Sequence, residues 1–211
     1  MPNIIDKTYF QKANELNIPL SVQTLVANPT LQTPNDVAYL DSLCLRVEKS
    51  ILLNALGLAM YNELQLAITD LFVNPLYASY KKLVEGDEYD GKVWQGLDND
   101  YSLIAYRIFE EFMTETNVRL VVNGNVQLSP EKASLISPAY KIANANQKFI
   151  QSYQSGFLRE PIIFENFIDW FGSNDEINVS LYNYLIDKKE DFPLWDLSKF
   201  AVYTTKNTFG L

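Results

Sequence analysis

A mainly α fold, a multi-helix bundle with one projecting β-hairpin and extended terminal arms, is what this sequence predicts. Three observations lead there. Apolar residues recur at helical spacing over 36–56, 58–72, 101–117 and 130–154. Helix-start signatures stand before two of those stretches, Thr33-Pro34-Asn35-Asp36 and Ser129-Pro130-Glu131, each with a capping side chain, an early Pro and an early acid. Between them, Asn123-Gly124 sits among β-branched residues, the strongest short hairpin cue.

Taken in order, residues 7–14 form a short amphipathic stretch that gives way to turns at Asn17-Ile18-Pro19-Leu20 and Asn28-Pro29-Thr30. From Asp36, one stripe collects Leu40, Leu43, Val47, Ile51 and Ala55, and Gly57 bends or ends that helix. The pattern resumes with Tyr61, Leu64, Ile68, Leu71 and Phe72 until Asn74-Pro75, and 76–84 reads as a further helix. Residues 85–100 read as a polar loop ending in Trp94-Gln-Gly-Leu97. A strong helix follows, with Ile104, Ile108 and Phe112 on one ridge and Ala105, Phe109 and Met113 beside it. Residues 118–128 switch to β character. The helix opened by Ser129-Pro130 runs through Ile142, Ala145, Phe149 and Tyr153 to Gly156. In the final third, 162–171 is aromatic-rich, 180–188 a short helix, 191–195 a break, and 200–211 a Thr- and aromatic-rich tail without helical period. This organisation divides the chain into an N-terminal segment, 1–35, a helical core, 36–156, and a C-terminal extension with a docking arm, 157–211.

With 47% apolar residues, a 211-residue chain can bury a core without disulfides or metal. No run approaches the roughly 18 uninterrupted apolar residues of a membrane helix, and the start, Met-Pro-Asn-Ile-Ile-Asp, lacks the pattern of a signal peptide. Cytoplasmic synthesis and no membrane partner are the expectation. The absence of histidine excludes imidazole bases, Ser-His-Asp triads and Cys/His zinc sites, and the single cysteine excludes an intrachain disulfide. The net charge of −9, with its few bases scattered as Lys81-Lys82 and Lys188-Lys189, disfavours nucleic acid as a primary ligand.

No motif carries chemistry. A calcium loop starting at Asp98 would need Gly at position six and Glu at position twelve, where Leu103 and Phe109 stand. Glu110, Glu111 and Glu115 read as a solvated helix face, since adjacent acids diverge around a helix. Cys44 lies on the apolar stripe and reads as a buried structural thiol. No Gly-rich phosphate loop exists. No catalytic residue, cofactor or metal is expected, and the chain reads as a non-enzyme.

The order of elements resembles a known family. A helix pair ends in Leu53-Asn-Ala-Leu-Gly-Leu-Ala-Met-Tyr-Asn-Glu-Leu64, and an acidic loop closes on Trp94-Gln-Gly-Leu97. An aromatic helix over 101–116, the hairpin Val122-Asn-Gly-Asn-Val126 and a long Ala/Asn/Gln helix follow. Over about residues 35–155 this resembles the head–tail connector (neck adaptor) proteins of tailed phages infecting Bacteroidetes, crAss-like phages included. The resemblance implies a virion protein of the neck that closes into a ring with itself. It would bind the portal protein and other neck or tail proteins, and surround DNA only as it passes through the lumen. An acidic surplus suits a channel through which DNA must slide, and abundant aromatics suit interfaces. Partner-binding residues are expected on the hairpin, at Val118, Leu120, Val122, Asn123 and Gly124, and on the tail, at Phe200, Val202, Tyr203, Phe209 and Leu211. Two alternatives are a helical interaction module, monomeric or dimeric, and a small enzyme using carboxylates alone.

Overall fold

The computed structural model describes residues 3–12, 15–18, 36–121, 124–127, 139–154 and 178–203. Helix takes up 67% of these, so the mainly α expectation holds. The helix start expected at Ser129-Pro130, the aromatic stretch 162–171, and Val122, Asn123, Phe209 and Leu211 lie outside the described residues.

The longest element, α1 (Asp36–Thr69), is two helical limbs joined at Gly57, whose φ of +73° and ψ of 167° break the helical path. A positive φ is nearly free for glycine and costly for other residues, which is why the bend falls there. The predicted stripe of the first limb, Leu40, Leu43, Val47, Ile51 and Ala55, is buried throughout, with Cys44. In the second limb Met60, Tyr61, Leu64 and Ala67 are buried, but the stripe ends sooner than expected: Leu71 is exposed. By length and composition the span 38–69 is apolar enough to cross a membrane, with an 18-residue stretch of mean hydropathy 1.3. Its buried face packs on the chain's own helices, chiefly α3 (Leu103–Asn117).

A 3-10 turn, Pro75–Tyr77, is capped by the Asn74 side chain and leads into α2 (Ala78–Glu85), which buries Tyr80, Leu83 and Val84. The expected polar loop after it is a second hairpin. Strands β1 (Asp87–Tyr89) and β2 (Lys92–Trp94) pair antiparallel, with Asp87 opposite Trp94 and Tyr89 opposite Lys92. Asp90 and Gly91 turn the chain with φ of +48° and +75°, the geometry that an Asp-Gly pair favours in two-residue hairpins. Trp94 is buried and its indole N–H donates to the Leu83 carbonyl at 2.9 Å, so the hairpin is clamped to α2. Asn178 extends this small sheet through a parallel bridge to Val93.

Helix α3 buries Leu103, Ile104, Ala105, Tyr106, Ile108, Phe109 and Phe112, and packs mainly on α4 (Ala139–Gln154) and α1. It runs directly into the predicted hairpin, β3 (Val118–Val121) with β4 (Gly124–Gln127), whose register sets Val118 opposite Gln127 and Val121 opposite Gly124. Helix α4 buries Ile142, Ala145, Phe149 and Tyr153 as its period predicts. The short helix α5 (Leu181–Asp187) starts at Ser180, whose hydroxyl accepts from the Asn183 amide.

One apolar core takes side chains from both ends of the sequence. Ile5, Tyr9, Phe10, Leu16 and Ile18 join it from the N-terminal segment, and Leu185, Phe192, Trp195 and Phe200 from the C-terminal extension. The stretch 191–195, expected as a break, is a turn that nonetheless buries two rings, and the Trp195 indole N–H donates to the Ala55 carbonyl at 2.9 Å.

Candidate interaction surfaces

Of the residues expected to bind partners on the hairpin, Val118 and Leu120 lie on β3 and Gly124 opens β4, so their backbones are brought together as predicted. The tail corrects the expectation. Phe200 is buried and stacks on Tyr153 at 4.7 Å between ring centres, with Tyr182 edge-on at 5.1 Å. Tyr203 sits edge-on to Phe149 and Tyr153 at 4.9 and 5.0 Å, and its hydroxyl accepts from the Asn54 amide at 2.8 Å. Its backbone N–H and C=O both bond the Gln154 side chain at 2.7 Å, and the Ala201 N–H donates to the Asn54 carbonyl at 2.8 Å. Phe200 and Tyr203 therefore anchor residues 200–203 to α1 and α4 of their own chain, through aromatic burial and a two-bond amide clamp. Val202, between them, points outward and is partly exposed.

Among the described residues, five strongly exposed apolar side chains lie elsewhere, on the second limb of α1 and the turn that follows. Leu58 and Leu66 are 67% and 55% exposed, and with Asn62 they form an i, i+4, i+8 ridge about 12 Å long. Ala59 and Thr69 flank it, also exposed. Between Leu58 and Thr69 the only charged residue is Glu63. Solvent-facing helix surfaces are ordinarily charged or strongly polar, so a neutral leucine ridge departs from the pattern of a free face. The ridge continues into the turn, where Leu71, Val73 and Leu76 are 79%, 77% and 82% exposed.

That turn is held in shape by its own hydrogen bonds. The Phe72 N–H reaches back to the Ala67 carbonyl at 3.0 Å and the Leu71 N–H to Ile68 at 3.1 Å. The Asn74 N–H donates to the Asp70 carboxylate at 2.7 Å, and the Leu76 N–H to the Asn74 side chain at 3.0 Å. Leu71 and Phe72 both have positive φ, +54° and +56°, which costs about 1–2 kcal/mol for each such residue. The distortion turns Phe72 against the core while Leu71 and Val73 face solvent. Sequence reasoning placed Leu71 on the core stripe and missed this surface. The lack of charge between Leu58 and Thr69 was the signal that could have found it.

Glu110, Glu111 and Glu115, the helix acids considered for chemistry, are engaged in ion pairs. Arg107 bonds Glu110 at 2.7 Å and Glu111 at 3.1 Å, and Arg46 reaches Glu111 at 3.6 Å and Glu115 at 3.2 Å. Asp100 pairs with Lys12 at 3.0 Å. Cys44 is buried, and desolvation with the neighbouring Asp41 and Glu48 charges pushes its thiol up to about 12. Among the described residues no group of three or more His, Cys, Asp or Glu side chains is placed to hold a metal ion. No family model, curated protein or solved structure matches the chain.

Proposed function

We propose that this protein is a structural subunit of a phage neck, a ring-forming connector that joins the portal to neck or tail components and continues the DNA channel. The observation that carries the reading is the neutral leucine ridge and apolar turn from Leu58 to Leu76, which the described parts of the chain leave uncovered. Large exposed apolar side chains gathered on one helix and the turn after it are the kind of surface that assemblies cover. A closed ring uses heterologous contacts, so this surface would meet a different face of the next subunit. The order of elements over 35–155 supports the same reading. In it the helices form a bundle, the β3–β4 hairpin projects towards a neighbour, and the acidic surplus keeps the lumen from holding DNA.

Light scattering coupled to size exclusion, with cryo-EM of the same fractions, tests the proposal. The purified chain should assemble, with concentration, into particles many times its 24.2 kDa mass that show a central channel. Leu71→Asp with Leu76→Asp should abolish them while leaving the melting temperature within about 2 °C, because neither side chain is buried in the subunit. A chain that stays monomeric at every concentration, or a double variant that assembles like the parent, would overturn it.

A further inference from the structure

The N-terminal segment, 3–12 and 15–18, lies across three helices like a strap; besides the core burial of Ile5, Tyr9, Phe10, Leu16 and Ile18 and the bond from the Tyr9 hydroxyl to the Asn99 carbonyl at 2.8 Å, its contacts through charged side chains are of two kinds. Three are ion pairs at the surface: Lys7 with Asp41 at 2.8 Å, Lys12 with Asp100 at 3.0 Å, and Glu15 with Lys148 at 2.6 Å, where Glu15 also accepts from the Tyr106 hydroxyl. Such pairs are screened by salt. The fourth is buried. The carboxylate of Glu48, on the first limb of α1, accepts from the Ile4 amide at 3.1 and 3.0 Å and from the Ile5 amide at 2.9 Å. Glu48 is 3% exposed, and no cation among the described residues pairs with it.

Among the described residues, the side chains that interact electrostatically with Glu48 are acidic or neutral. Asp98, in the loop before α3, and Cys44 and Tyr61, on α1, lie within electrostatic reach of Glu48, and Asp6 on the strap lies within reach of Cys44. Of the bases on the strap and the first limb of α1, Lys7 pairs with Asp41, Lys12 with Asp100, and Arg46 with Glu111 and Glu115, while Lys49, next to Glu48 in sequence, is exposed to solvent. A carboxylate enclosed without a cation is disfavoured in its charged form. With the strap lifted, the same group meets water and its charge is stabilised.

We infer that the strap is a proton-linked latch, seated while Glu48 carries a proton and loosened when that proton is lost. Burial raises Glu48 to about 7, against the opposing effect of the two amide bonds, while a solvated glutamate titrates near 4.5. The seated form thus binds more protons than the released form between these values. Seating is at full strength below about pH 4.5 and weakens as pH rises through about 7.

Hydrogen exchange of the peptide spanning residues 3–18, corrected for intrinsic exchange rates, reads the latch directly. From pH 5 to pH 8 at constant salt, its protection should fall at least about tenfold, while the α3 peptide stays unchanged. Glu48→Gln should remove that pH dependence but keep the response to salt. Ile5→Ala should lower protection at every pH and keep the slope. A strap whose protection is level with pH, or a Glu48→Gln chain with the parent's slope, would overturn the latch. Should Glu48→Gln fail to fold, the carbon-13 titration of Glu48 in the native chain decides. A midpoint near 7 supports the latch, and one in the ordinary carboxylate range refutes it.

Discussion

At Gly96 the backbone passes so close to the end of α2 that a methyl group has no place. A Cβ built there would lie 2.5 Å from the Val84 carbonyl oxygen and 2.7 Å from the backbone of Glu85 and Gly86, and φ is +87°. The approach lets the Leu97 and Asp98 amides both donate to the Val84 carbonyl, at 2.8 and 2.9 Å. Gly96→Ala should therefore cost about 2 kcal/mol or more, read as a lower urea midpoint with unchanged slope. A neutral substitution would mean that the loop 95–100 can move aside freely. Little of this was visible in the sequence, where Gly96 reads as one more loop glycine. Gly57 was legible, since it interrupts an otherwise unbroken helical period.

Among the elements, helices were read from period and strands from turn chemistry, and the two behaved differently. The stripes of α1, α3 and α4 are buried where their spacing placed them, because a stripe that wide has no stable alternative to facing the core. The β1–β2 segment reads as a loop in the sequence because its strands are only three residues long and stand among acidic and glycine residues, although Asp90-Gly91 carries a usable cue. Its stability comes from the burial of Trp94 against α2 and α5, where Trp94 stacks on Tyr184 at 5.3 Å, and not from strand propensity. The β3–β4 hairpin is different in kind: it pairs with no other strand among the described residues. Replacing 119–127 by a short linker should leave the melting temperature close to the parent's and weaken assembly. Loss of cooperative unfolding in that variant would place the hairpin in the core instead.

For the whole molecule, the consequential finding is that both ends of the described chain close onto the middle. Residues 36–156 do not make the core alone, since Phe10 and Ile18 enter from one side and Phe192, Trp195 and Phe200 from the other. Truncation after Asp196 removes Phe200 and the Tyr203–Gln154 clamp, and should lower the melting temperature by more than about 5 °C, measured by calorimetry. An unchanged transition would restore the picture of a free docking arm. Val202 and the leucine ridge stay exposed among the described residues, so the proposed assembly has surface left to use.

The residues alone were enough for the class of fold, the main helices, the break at Gly57, the short helix after Ser180 and the central hairpin. Those features follow from local rules: side-chain period, caps, and the backbone freedom of glycine and Asn-Gly. Which apolar residues are covered and which are left to solvent was decided in three dimensions. Leu71 and Phe200 are both large and apolar, and each follows a charged residue, Asp70 and Lys199, so the sequence beside them does not tell them apart. One is exposed because two positive φ angles end α1 and swing it outward, the other buried because Tyr153 and Tyr182, far off in sequence, stack against it. Such outcomes depend on contacts between distant parts of the chain, and composition and spacing carry no record of them.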